Sequence, residues 1–137
     1  MRITQEADNA FRVILYLAGL PEGEKSTART ISEAMNISVQ FTLKTLNKLT
    51  KNGLTCAYRG VNGGYALNRP AKEITLREII EVVDGPIAIN RCLLDKNYCN
   101  RNFADHCSVH DALVGVQKTL VSALEAIRVD QLLDKDS

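Results

Sequence analysis

Three cysteines, Cys92, Cys99 and Cys107, crowd into one short stretch, separated by six and seven residues, with His106 and His110 close by. Thiolates bind soft or borderline metals, and three of them need one further donor to complete a four-ligand site. An odd cluster of three cannot pair off as disulfides within one chain. The gaps are too long for a zinc knuckle built on a Cys-x-x-Cys turn and suit a loop wrapped around something larger. An iron–sulfur cluster is therefore favoured over zinc. The fourth donor is either His110, placed Cys-x-x-His after Cys107, or Asp8, supplied by a partner subunit. Both have plainer roles open to them: Asp8 favours the positive end of a first helix, and His110 is a polar first-turn residue. His106 adjoins Cys107 and is expected to point away, and Cys56 stands alone as a small strand residue.

The second chemical feature is a basic stretch. The formal net charge is only +1, but residues 1–72 carry ten basic against five acidic side chains, and residues 73–137 seven against eleven. Within 26–72 the only acid is Glu33, against seven Lys and Arg. A duplex presents a dense line of phosphates, so an element approaching it needs cations and few carboxylates. Ser38, Gln40 and Thr42 have the length and polarity to reach base edges, Gln pairing bidentately with adenine. Lys44, Lys48 and Lys51 line one helix face, as phosphate contacts or as a solvated surface. Arg59, beside glycines, suits a minor groove.

These residues need elements to hold them. Ala7, Ala10, Phe11, Ile14, Leu17 and Ala18 recur at helical spacing from an N-cap at Thr4 towards Leu20. A second helix is expected over Thr27 to Met35, with Ile31 and Ala34 inward. After a short turn, Ser38 caps a third helix to about Asn52, with Phe41, Leu43, Leu46 and Leu49 as its apolar positions. Two helices joined by a short turn, the second basic, make a helix-turn-helix. The hairpin that follows, Leu54 to Leu67 turning at Gly60-Val61-Asn62-Gly63-Gly64, is a wing. Thr75 and Glu78 have capping-box spacing for a helix ending at Gly85. Residues 86–107 lack periodicity. From a cap at Ser108, with Asp111 as its third-position acid, a long helix reaches about Arg128. Along it Leu113, Val116, Leu120, Leu124 and Ile127 form a coiled-coil-like seam for a second copy.

The expected fold is mainly α with a small β-hairpin wing: a winged helix-turn-helix over 1–85, a cysteine-containing loop over 86–107, and a dimerisation helix and tail over 108–137. The 137 residues suit one domain of ordinary size. The N-terminus reads as a cytoplasmic protein's, without a signal peptide, and no stretch approaches the roughly 18 uninterrupted apolar residues of a membrane span. There is no Gly-rich phosphate loop before a helix and no plausible nucleophile–base pair, so catalysis is not expected.

At this point the chain resembles the Rrf-two-type family of winged-helix transcription regulators. The resemblance rests on Met1-Arg2-Ile3-Thr4, Ile37-Ser38, Leu49-Thr50-Lys51-Asn52-Gly53-Leu54, Tyr58-Arg59-Gly60, Gly63-Gly64-Tyr65, Val82-Val83-Asp84-Gly85 and the three cysteines. It implies a homodimer on double-stranded operator DNA. Ser38, Gln40 and Arg59 would contact bases, and Lys44, Lys48 and Lys51 phosphates. It also implies an iron–sulfur cluster on Cys92, Cys99 and Cys107 that reports iron, nitric oxide or redox state. An IscR-like pattern completes a 2Fe–2S cluster with the histidine matched by His110. An NsrR-like pattern completes a 4Fe–4S cluster with the partner's aspartate matched by Asp8, and this one is slightly favoured because IscR-like chains lack that acid. IscR-like members also carry glutamate where this chain has Leu43, which implies a different site preference. The competing expectation is a zinc-containing or cluster-free regulator controlled by thiol oxidation or a partner protein.

Overall fold

A computed structural model of the chain describes residues 2–95, 97 and 107–136. Cys99 and His106 lie outside the described residues. The elements are α1 (Gln5–Ala18), α2 (Ala28–Met35), α3 (Val39–Lys51), β1 (Thr55–Tyr58), β2 (Gly64–Leu67), α4 (Leu76–Asp84), α5 (Arg91–Leu94), α6 (Ser108–Glu125) and α7 (Asp130–Asp136). As the sequence implied, the fold is mainly helical with a single antiparallel hairpin among the described residues. One capping device starts four of the helices. Thr4, Thr27, Ser38 and Thr75 each accept a hydrogen bond from the backbone N–H three residues on. Each satisfies a donor that the first turn leaves without a helical partner.

The core forms around α1. Ala7, Ala10, Val13, Ile14 and Leu17 are buried on one face, and α1 packs against α2, α3, α4, β2 and α7. Ile31 of α2, Leu46 and Leu49 of α3, and Ile79, Ile80 and Val83 of α4 complete the same cluster. Phe11 and Ala18, expected on the buried stripe, are only half-buried at its edge. Between α2 and α3, Asn36 takes the left-handed conformation at φ 55° and ψ 50°, which asparagine tolerates better than most residues.

On α3 the inward face differs from the expected one. Thr42, Thr45, Leu46 and Leu49 are buried, while Phe41 and Leu43 face out. The buried set follows the i, i+3, i+4, i+7 spacing of a helix face, and hydroxyls occupy two of its positions. Thr42 meets the cost of burial by donating its hydroxyl to the Ser38 carbonyl at 2.9 Å. Thr42 is therefore a core residue and not a base-reading one.

The hairpin pairs Thr55 with Leu67 and Tyr58 with Gly64. Ser26, just before α2, extends it by exchanging both backbone bonds with Tyr65, at 3.0 and 2.8 Å. That approach requires a glycine. At Gly64, φ is +149°, and a Cβ there would sit 2.8 Å from the Ser26 carbonyl oxygen.

The C-terminal third departs most from expectation. Cys107, not Ser108, occupies the N-cap of α6, without a side-chain cap bond. The helix ends at Glu125 rather than near Arg128, because the chain turns back towards the start of α4. Leu76 N–H donates to the Ile127 carbonyl at 3.1 Å and Val129 N–H to the Ile74 carbonyl at 2.9 Å. Val129 is buried with α1 and α4 in the same core. The expected seam is thus divided: Leu120 and Leu124 pack on the chain's own core, Val116 is exposed, and Ile127 lies beyond the helix. The capping box before α4 is half-formed, since Glu78 turns its carboxylate to Arg69 rather than to the cap.

Ile14 is the test of the central face. Ile14→Ala is expected to cost about 2–5 kcal/mol in chemical denaturation. Val61→Ala, at the fully exposed wing tip, is expected to stay within about 0.5 kcal/mol.

Candidate functional site

The outward face of α3 carries the nucleic-acid candidates. Gln40, Lys44, Asn47 and Lys51 are exposed on successive turns opposite the buried threonines and leucines. Ser38 sits at the head of this face. Its oxygen accepts from Phe41 N–H at 3.1 Å, which leaves the hydroxyl proton available to an acceptor outside. Residues 38–41 at the start of the helix are all exposed, as a reading helix requires.

Lys48 is used differently from the other lysines. Its Nζ lies 2.8 Å from a Glu6 carboxylate oxygen and donates to the Val83 carbonyl at 3.2 Å. It ties α3 to α1 and α4 instead of standing free for a phosphate. A second tether joins α1 to the end of α2. Arg12 pairs with Asp8 at 2.9 Å and donates to the Met35 carbonyl, at the end of α2, at 3.3 Å. Asp8, off the buried stripe as expected, is therefore already held by a cation of its own helix.

At the wing, Arg59 is exposed beside Gly60 and has no carboxylate at ion-pair distance among the described residues. Two neighbours add to it. Lys25 places its ammonium 4.4 Å from the centre of the Tyr58 ring, a cation–π contact that keeps a second positive charge at the wing. Cys56, half-buried, donates from Sγ to Tyr58 Oη at 3.4 Å and towards the Ala66 carbonyl at 3.7 Å. The hydrogen bond shared with the Cys56 sulfur, followed by the negative charge of that sulfur when ionised, favours the protonated phenol and holds Tyr58 above its ordinary pKa. Cys56 thus serves the wing's own structure, and Lys25 joins the candidate surface as a residue for which the sequence carries no signal, since its place at the wing follows from the Ser26–Tyr65 bridge.

Of the three clustered cysteines, two are described. Cys92 lies in α5 and Cys107 at the head of α6; both are free thiols and half-buried. α5 and α6 pack against one another. Ile89 N–H donates to Gln117 Oε1 at 3.0 Å, fixing the approach to α5 against the middle of α6. One turn into α6, His110 Nδ1 is buried with no hydrogen-bond partner among the described residues. A buried imidazole nitrogen left unmatched costs free energy unless something else engages it. Among the described residues no three His, Cys, Asp or Glu side chains converge as a metal cage, the third cysteine lying outside them. Two thiols and an unengaged imidazole nitrogen are the soft and borderline donors that suit an iron–sulfur cluster.

α6 presents a further surface. Val109, Ala112, Val116, Thr119 and Ala123 are all exposed and spaced 3, 4, 3 and 4. No charged side chain interrupts this stripe; Asp111, Lys118 and Glu125 lie together to one side. Among the described residues no helix is long and apolar enough to cross a membrane.

Comparison with known proteins accords with this architecture. The Rrf2 family, described as iron-dependent transcriptional regulator, matches residues 3–135. Protein aau3 of Rhizobium meliloti (strain 1021) is 33% identical over 134 residues, covering 97% of this chain and 85% of that protein. Among solved structures, T. potens IscR is similar with a TM-score of 0.79 at 19% identity, over 100% of this chain and 89% of that one. CymR, the global cysteine regulator of B. subtilis, gives a TM-score of 0.75 at 21% identity, over 98% of both chains. These two likenesses speak for the fold alone. With helix-turn-helix, wing and long C-terminal helix all present, and a family match across nearly its whole length, the chain belongs to the Rrf2 family of winged-helix transcriptional regulators, which are not enzymes.

Proposed function

We propose that this chain is a cytoplasmic, homodimeric repressor whose affinity for double-stranded operator DNA is set by an iron–sulfur cluster on Cys92, Cys99 and Cys107. The observation that carries the sensing half is the buried Nδ1 of His110, without a hydrogen-bond partner among the described residues and within one turn of Cys107. It supports His110 over Asp8 as the fourth donor, since Asp8 is already engaged by Arg12. With that exchange the IscR-like pattern, and a 2Fe–2S cluster, becomes the preferred reading over the 4Fe–4S expectation.

When bound, such a cluster supplies a centre whose state changes with iron, nitric oxide or redox conditions. The chain's own residues supply the route to DNA. Cys92 lies on α5 and Cys107 at the head of α6, two helices that pack together; α6 packs on α4; and the Val83 carbonyl at the end of α4 receives Lys48 of the reading helix. A contiguous packed path of this kind can bias the angle of α3. Gln40 and Ser38 would then read bases, Lys44 and Lys51 hold phosphates, and Arg59 enter the minor groove. The exposed stripe from Val109 to Ala123 supports dimerisation through α6, with small side chains that allow close approach.

A second reading keeps the DNA-binding half and replaces the cluster with zinc, thiol oxidation or a partner protein. The likeness in fold to the oxidized form of Staphylococcus aureus CymR, with a TM-score of 0.74 at 20% identity, favours keeping it. So do three free, half-buried thiols.

Anaerobically purified protein is expected to show visible iron–sulfur absorption, with His110→Ala perturbing the spectrum more than Asp8→Ala. A colourless, zinc-replete sample would overturn the cluster, and the reverse order of the two variants would return the fourth position to Asp8. Arg59→Ala should weaken specific operator binding by about 1–3 kcal/mol at fixed salt; unchanged affinity removes the wing from the interface. Val116→Asp should convert the dimer to monomer in sedimentation velocity, and a dimer that persists shows that the α6 stripe is not the interface.

A further inference from the structure

The first turns of α3 are inverted relative to what folding alone would select. Hydroxyl-bearing Thr42 and Thr45 are buried, whereas Val39, Phe41 and Leu43 are 37%, 59% and 40% exposed. Single exposed apolar residues are ordinary. Three within the first five residues of one helix, while polar residues occupy its core side, call for a partner that covers them.

Helix geometry separates the three. Val39 and Leu43, four residues apart, form a short apolar ridge alongside Gln40 and Lys44 on the outward face. Phe41 lies on the opposite flank, beside Gln5, Glu6 and Asn9 of α1. The ridge therefore belongs to the same surface as the amide and the lysines. The outward face of the helix carries Lys44 and Lys51, and the wing carries Arg59, all exposed. The basic stretch over 26–72 holds a single acid. A partner with dense negative charge and small apolar spots matches this surface better than another protein does. The major groove offers both, because phosphates flank it and each thymine projects its C5 methyl group into it.

Resting on the DNA-binding reading above, we infer that the Val39–Leu43 ridge is a specificity determinant that packs against thymine methyl groups in the operator, next to the base pair read by Gln40. The amide recognises adenine through hydrogen bonds, and the ridge recognises thymine by excluding water from its methyl. Together they select A·T pairs at adjacent steps of each half-site. Neither residue forms part of the buried core, so the ridge can be cut back without removing a core contact.

The test begins with selection of duplexes from a randomised pool by the full chain. Each thymine of the recovered half-site is then replaced singly by deoxyuridine, which deletes only the methyl group. One or two such positions should each weaken binding by about fourfold, the factor that burial of one methyl corresponds to. The Val39→Ala/Leu43→Ala double variant should bind thymine and uracil forms of those duplexes equally. Equal binding of both forms by the unaltered chain at every position overturns the inference alone. So does a methyl effect that survives in the double variant. A pool from which no duplex is recovered overturns the DNA-binding reading along with it.

Discussion

Ala7, Ala10, Val13, Ile14 and Leu17 place one whole face of α1 out of water, and five other elements rest on that face. Burial of large aliphatic side chains contributes on the order of 1.5–3 kcal/mol each, so this contact set decides how the molecule closes. Ala7 and Ala10 are small, and the larger Val13, Ile14 and Leu17 share one buried cluster with Leu46 and Leu49 of α3 and Ile79, Ile80 and Val83 of α4. The reading helix is held at its angle because α1 lies behind it, and the α4–α6 unit is held because it leans on the same helix. A signal that moves α6 therefore has to work against this core or pivot around it.

Two polar tethers refine what the core leaves open. Lys48 links α3 to Glu6 and to the end of α4, and Arg12 links Asp8 to the end of α2. Both are partly exposed, so each contributes modestly to stability. Their value is directional: they tie each of the two helices of the helix-turn-helix back to α1. Lys48 illustrates how a sequence pattern misleads. Three lysines at helical spacing read as one cationic stripe, yet only the fold reveals that one of them turns to a carboxylate two elements away, on α1.

The helix-turn-helix and wing were legible because they rest on local chemistry. Cap residues at Thr4, Thr27, Ser38 and Thr75, and the glycines of the hairpin, act over a few residues. The inward face of α3 was not legible from hydrophobicity, since Thr42 and Thr45 take positions where apolar residues were expected. Helical spacing without regard to residue type would have found them. The α6 seam failed for a different reason. Leucines and valines occupy two adjacent stripes, one used by the chain itself and one left outward, and periodicity cannot say which belongs to whom. At the cysteine segment the donor types were readable from sequence. The burial of the His110 nitrogen, without a partner among the described residues, became visible only in the fold.

The return of the chain after α6 bears on how such a molecule can be divided. Ile127 and Val129 pair with the backbone at Leu76 and Ile74, and Val129 fills a place in the core that the N-terminal segment leaves open. The basic and acidic halves of the sequence are therefore not two modules joined by a linker. A chimera that exchanged everything after the cysteine segment with a relative would also exchange a piece of the partner half's interior.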